Sequence, residues 1–265
     1  MTNFTTLTAQ IDAAEPRLGR LTLNRPKILN PLSTTALSEL AAAASWFDGQ
    51  AAAVVVVTGA GSSFCAGFDL NEFAGGPAAD DGDRMGPPPN GARLGAEMAD
   101  ALEAMSAITV ARIHGHCVGG GLVLAAACDL RIAADNTRFS IPEVALGIPL
   151  AWGGIPRLVR EIGPAATKEL VLTCRPFGPQ EAQALGFLNR VVPLADLDAA
   201  VAETTTALLG RASSLLRITK RQVHDAVEDL ASSHAGWAGE PILAAALADP
   251  DARAASRAYL DQRGR

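Results

Sequence analysis

Three consecutive glycines, Gly119-Gly120-Gly121, separate a short segment ending in His116-Cys117-Val118 from an apolar, alanine-rich stretch running from Leu122 to Cys128. No other feature constrains the fold of this chain as strongly. Glycine loses more backbone freedom on folding than any other residue. A compact protein therefore keeps such a run where φ must be positive or where another group must touch the main chain. The change in composition across the triplet reads as strand, turn and helix. At a helix start the first amides lack intrahelical partners and, with the helix dipole, favour negative charge. The triplet is thus either an oxyanion site or a tight strand-to-helix turn.

The flanking chain supplies an α/β context. Residues 5–11 and 18–23 alternate apolar and polar side chains and read as a β-hairpin. Ser33 or Thr34 then caps a helix whose Leu37, Leu40, Ala41, Ala44 and Phe47 share one face. The unbroken run Val54-Val55-Val56-Val57 reads as a strand buried on both sides. Residues 75–91, rich in Gly, Pro and Asp, read as a mobile surface loop. A helix over residues 93–107, a strand over 109–113 and another over 130–133 follow, and this alternation implies parallel strands with crossovers. Beyond Pro142-Glu143 the pattern turns helical, over residues 153–162, 164–173, 179–185, 196–210, 213–228 and 241–260. One short extended piece interrupts it at Val191-Val192. The expected division is a β-rich part, residues 1–192, and a helical part, residues 193–265.

Composition removes several classes of function. With 22 Lys and Arg against 28 Asp and Glu the net charge is −6, which argues against a nucleic-acid or anionic-membrane surface, so neither partner is expected. The apolar run after the glycines is broken by Asp129 and Arg131, too short to span a bilayer. Met1-Thr2-Asn3-Phe4-Thr5 carries no leader-like pattern, and the four cysteines have no metal-ligand spacing. The expectation is a cytoplasmic protein with reduced thiols.

Three segments carry the chemistry: Phe64-Cys65-Ala66-Gly67-Phe68-Asp69-Leu70, the glycine triplet, and Pro142-Glu143 with Leu146-Gly147, Gly153-Gly154 and Arg157-Leu158. In this order and at these separations they resemble the crotonase superfamily, the enoyl-CoA hydratase and isomerase relatives. Leu23-Asn24-Arg25-Pro26, Asn30-Pro31-Leu32-Ser33 and the stretch from Ala182 to Gly186 extend the likeness over nearly the whole chain. The resemblance implies ββα turns wound into a spiral, a trailing helical region that helps cover the site, and a homotrimer or dimer of trimers. It also implies an acyl-CoA substrate, with coenzyme A carried on the substrate and no separate cofactor or metal. By position, the backbone N–H groups of Phe68 and Gly120 would hold the thioester oxyanion, with Ala66, Asp69 and Leu70 lining the same loop. Arg25 and Lys27 match a loop near the nucleotide end of coenzyme A. Lys220 with Arg221 would either add charge there or be solvated surface.

The acid–base residues depart from the hydratase pattern. Val123 stands where the hydratases have their first glutamate, and Glu143 matches the second. A single carboxylate suits moving a proton between two carbons better than activating water and delivering a proton together. The expected activity is therefore enoyl-CoA isomerisation or hydration with Glu143 as the proton carrier. A catalytically silent acyl-CoA binder is the alternative. Trp152 stands where the family more often has a small residue; it either narrows the acyl pocket or packs in the core. His114-x-His116 could offer metal ligands, Cys65 and Cys117 could be nucleophiles, and Asp69 and Glu72 could add carboxylate chemistry. Ordinary packing and capping roles are the competing readings for all six.

Overall fold

The computed structural model describes residues 4–73, 90–230 and 239–262. The hairpin forms as expected: β1 (Leu7–Ile11) and β2 (Leu18–Leu23) pair antiparallel. Strand β3 (Val54–Gly59) joins β2 in parallel, followed by β4 (Ile108–Ile113), β6 (Leu130–Ala134) and β8 (Arg190–Val192), giving a six-stranded sheet in the order β1-β2-β3-β4-β6-β8. Val55 and Val57 face the main core and Val54 and Val56 face the other side. Both faces of β3 are therefore buried, as its unbroken valine run requires.

A second, smaller layer was not legible in the sequence. Strands β5 (His116–Val118) and β7 (Arg138–Ser140) pair in parallel, Val118 opposite Ser140, and Cys65 bridges to Cys117 on the outer side. Strands this short carry too few residues for alternation to register. They complete the spiral, because each turn places a strand in the large sheet, a short segment in the small layer and then a helix. The turns are β3, Cys65 and α2 (Leu70–Phe73) with α3 (Gly91–Glu103); β4, β5 and α4 (Gly120–Ala126); and β6, β7 and α5 (Gly154–Thr173).

Helix α1 (Thr34–Gly49) starts where the sequence placed it, with Ser33 Oγ accepting from Ala36 N. It packs on α3, and the core lies between these helices, the large sheet and the small layer. Helix α5 is interrupted at Gly163 (φ +75°), between the two helices expected there. After α6 (Pro179–Ala184), the extended piece at Val191-Val192 is the sheet-edge strand β8. Helix α7 (Leu197–Leu209) covers the far face of the sheet through Leu197, Ala200 and Val201.

The helix expected over residues 241–260 is two: α9 (Gly239–Ala248) and α10 (Pro250–Asp261). Asp249 breaks them with extended backbone, its carboxylate accepting from Asp251 N and Ala252 N, and Pro250 starts the new helix. The alanine-rich apolar spacing runs through this break and hides it, although Asp-Pro is itself a helix-start signal. Helix α8 (Ser213–Leu230) precedes this pair. The surface loop read over residues 75–91 lies almost entirely outside the described residues, and among the described residues no helix is long and apolar enough to cross a membrane.

Candidate active site

The small parallel layer brings the three chemistry-bearing segments together. Cys65, Cys117 and Phe139 lie in register, so the residues after them leave the layer at the same end. Those residues are Ala66-Gly67-Phe68, Gly119-Gly120 and Ile141-Pro142-Glu143. The joint is fastened by Gly119 N donating to Ser140 O at 2.9 Å and by Val118 N donating to Cys65 O at 3.1 Å.

Among the described residues, the Phe68 and Gly120 amides donate to no backbone acceptor. Leu32 N donates to Gly67 O (2.8 Å) and Asp69 N to Leu32 O (3.0 Å), the pattern of a parallel bridge centred on Phe68. In such a bridge the Phe68 N–H points away from Leu32. Gly120 is the first residue of α4, so its N–H precedes any intrahelical acceptor. The two loops touch: a side chain at Gly67 would come within 2.9 Å of Val118 O and 3.9 Å of Gly120 N.

The neighbours explain the glycines. Gly119 has φ +51°, and a Cβ there would lie 2.3 Å from Glu143 Oε1. At Gly120 a Cβ would lie 2.2 Å from the Trp152 ring, and at Gly121 2.7 Å from Cys65 Cβ. The triplet is thus required for close approach as much as for its turn.

Among the described residues, Glu143 is the one acidic side chain lining the cavity that also contains Phe68, Gly120, Val123, Trp152 and Leu243. Although the residue as a whole is only partly buried, its Oε2 is shielded from solvent and has no hydrogen-bond partner among the described residues. Burial disfavours the ionised form and pushes the carboxyl up to about 7. A carboxyl with this affinity gives up and takes back a proton near neutral pH. Val123 is fully buried and apolar in the same cavity.

The remaining expected residues divide. Asp69 caps α2, its Oδ1 accepting from Asn71 N, and pairs through Oδ2 with Arg25 Nη1 at 2.9 Å, so Arg25 braces the Phe68–Asp69 loop. Lys27 is exposed on the turn Pro26–Ile28, and Leu70 opens α2. Lys220 is not brought to this cluster. Its ammonium donates to Asp129 Oδ2 (2.9 Å) and Ala107 O (3.0 Å), beside the starts of β6 and β4, whereas the site lies beyond the ends of the strands. Arg221 is exposed beside Asp225.

The competing catalytic groups are occupied. Glu72 Oε2 accepts from Thr34 N at the start of α1. Arg112 can only donate, so His114 Nδ1 accepts from it and His114 Nε2–H donates to Gly61 O, which leaves no ring nitrogen for a metal. His116 Nδ1 meets Ser63 Oγ, and among the described residues no three ligating side chains gather. Burial pushes the Cys65 thiol up to about 12 and that of Cys117 well above its usual value, which suppresses the nucleophilic thiolate. Sequence reasoning missed Leu243 of α9, which reaches the cavity across a long sequence separation, and although it placed Arg157 in the third segment it did not show that this side chain is buried behind Trp152.

The family model for enoyl-CoA hydratase/isomerase matches residues 14–264. The chain belongs to the enoyl-CoA hydratase/isomerase family. This family of acyl-CoA enzymes lies within the crotonase superfamily. A probable enoyl-CoA hydratase, echA8, of Mycobacterium tuberculosis (strain CDC 1551 / Oshkosh) is 35% identical over 221 residues, 81% of this chain and 80% of that protein. The mevalonyl-coenzyme A hydratase sidH of Aspergillus fumigatus is 34% identical over 210 residues, 79% of this chain and 75% of that protein. Among solved structures, an enoyl-CoA hydratase from Bacillus anthracis superposes with a TM-score of 0.76 at 30% identity, covering 84% of each chain.

Proposed function

We propose that this chain is an enoyl-CoA isomerase working with a single carboxylate, Glu143. In this reading the Phe68 and Gly120 amides hold the thioester oxygen of a 3-enoyl-CoA. The Glu143 carboxylate removes a proton from C2, and the electron pair moves onto the oxygen as an enolate. The same carboxyl then returns the proton to C4, so that the double bond lies between C2 and C3. The observation that carries the reading is the unpartnered Oε2 of Glu143, held against Gly119 with its proton affinity raised to about 7. No cofactor is needed beyond the coenzyme A of the substrate, and Arg25, paired with Asp69 of the site loop, and Lys27, exposed on the turn after it, are the basic groups proposed for its nucleotide end. The assembly we propose is a homotrimer or a dimer of trimers.

Hydration is the second reading, favoured by the names of the hydratase relatives. It needs a group that activates water while another delivers the proton, and Val123 supplies neither. A silent acyl-CoA binder has no use for an acidic group buried at such cost.

The test follows products and solvent deuterium with 2-enoyl and 3-enoyl thioesters. Isomerisation should outpace net water addition, and deuterium should enter the acyl chain. Glu143→Gln should keep acyl-CoA binding within a few-fold and lose roughly 10²–10⁴-fold in turnover. Faster hydration than isomerisation would assign the second reading. Equal, near-zero exchange in both proteins would assign the silent binder.

A further inference from the structure

The turn before α5 holds a bulky residue where backbone geometry favours glycine. Trp152 has φ +60° and Gly153 after it has φ +66°. A large side chain in this region persists only where its surroundings over-determine it. Here they do. Arg157 Nη1 donates to Trp152 O (3.2 Å) and Gly153 O (3.3 Å), and its Nη2 binds Asp100 and Glu103 of α3.

The indole is pinned as firmly as its backbone. A Cβ at Gly95 of α3 would lie an equal 2.2 Å from Cδ1, Cδ2 and Cε2, so the face of the five-membered ring lies against that helix. The six-membered ring reaches Gly120, where a Cβ would lie 2.2 Å from Cζ3, and the Phe68 ring meets the indole edge-on at 5.9 Å. Trp152 therefore stands directly behind both oxyanion-loop residues, and the cavity left in front of Glu143 is about 40 Å³.

We propose that Trp152 is the floor of the acyl pocket and restricts the substrate to short acyl groups, because a cavity of about 40 Å³ leaves room for only a few non-hydrogen atoms. The boundary is tested at butyryl, the longest of the short chains in the series below. A longer chain would have to displace an indole packed against two glycines, on a backbone that Arg157 holds by its carbonyl. This inference rests on the acyl-CoA reading of the site and names the substrate class within it.

The experiment measures binding rather than turnover. Dissociation constants are determined by calorimetry for free coenzyme A and for its acetyl, butyryl, hexanoyl and octanoyl thioesters. The proteins are wild type, Trp152→Phe and Trp152→Gly, the last chosen because glycine suits φ +60°. In wild type each methylene that fits should tighten binding roughly fourfold. The gain should stop at butyryl, and octanoyl should bind roughly tenfold more weakly than butyryl because overpacking must distort the pocket. Trp152→Gly should extend the gain through octanoyl with free coenzyme A unchanged, and Trp152→Phe should fall between. Wild-type affinity that keeps rising through octanoyl overturns the inference while leaving the acyl-CoA reading intact. So does a chain-length cut-off unchanged in a folded Trp152→Gly, which would make the indole a packing residue only. If no thioester and no free coenzyme A binds, both the reading and the inference fail.

Discussion

Glu143 shows how one residue's surroundings set both chemistry and stability. Its carboxyl is raised from 4.5 to about 7 by burial. A carboxyl raised in the folded state supports folding fully below the unfolded value, and that support is lost as pH rises through the folded value. Wild type should therefore lose stability between about pH 4.5 and 7, by at most roughly 3 kcal/mol at 1.36 kcal/mol per unit. Glu143→Gln carries no ionisable group and should escape this loss. Chemical denaturation at pH 4.5 and pH 8 should find the variant more stable than wild type at pH 8, with the difference shrinking at pH 4.5. Catalysis should run the other way in wild type. The base form of Glu143 is the carboxylate, so kcat/KM for a 3-enoyl thioester should rise through about pH 7. A flat profile from pH 6 to 8 would remove Glu143 as the base.

At the level of elements, the site is assembled by short pieces whose positions depend on distant anchors. Helix α10 docks on the turn after Glu143: Ser256 Oγ donates to Leu146 O at 2.5 Å, and a Cβ at Gly147 would lie 2.1 Å from Ala252 O. Its start depends on the Asp249 cap, which satisfies two backbone amides that would otherwise lack partners. Asp249→Ala should cost about 1 kcal/mol. Amide exchange in α10 should accelerate while that of β3 and β4 stays unchanged. Uniform acceleration across the sheet would show instead that α10 and the sheet open as one unit.

For the whole molecule, the homotrimer or dimer of trimers proposed above needs a surface to bury. Leu215, Ile218 and Val223 of α8 are 63%, 54% and 59% exposed, and this exposure is large for three apolar side chains spaced along one helix. Covering them with other copies would remove apolar area from water at roughly 25 cal/mol per Å². Light scattering on the intact protein should give the mass of a trimer or of two trimers, and the double change Leu215→Glu with Ile218→Glu should lower it. A monomeric wild type would leave this face without its proposed role.

The sequence by itself determined the hairpin, the buried strand β3, a helix cap at Ser33 or Thr34, the alternation that implies parallel strands, and the three segments that mark the candidate site. These are local matters: periodicity, capping side chains and the steric needs of glycine act within a few residues and leave their mark on the string. The tertiary structure alone decided that β5 and β7 pair, and with them that Gly119 meets Glu143, because three-residue strands have no period to read. It also decided which charges serve the site. Arg25 and Lys220 are alike as letters, yet one braces the Asp69 loop while the other is held by Asp129 at the far end of the strands. The place of Trp152 was the most hidden. Its left-handed backbone with the clamp from Arg157, and the indole against Gly95 and Gly120, join residues from three parts of the chain. Contacts between residues so far apart in sequence are set by packing, which no local pattern encodes.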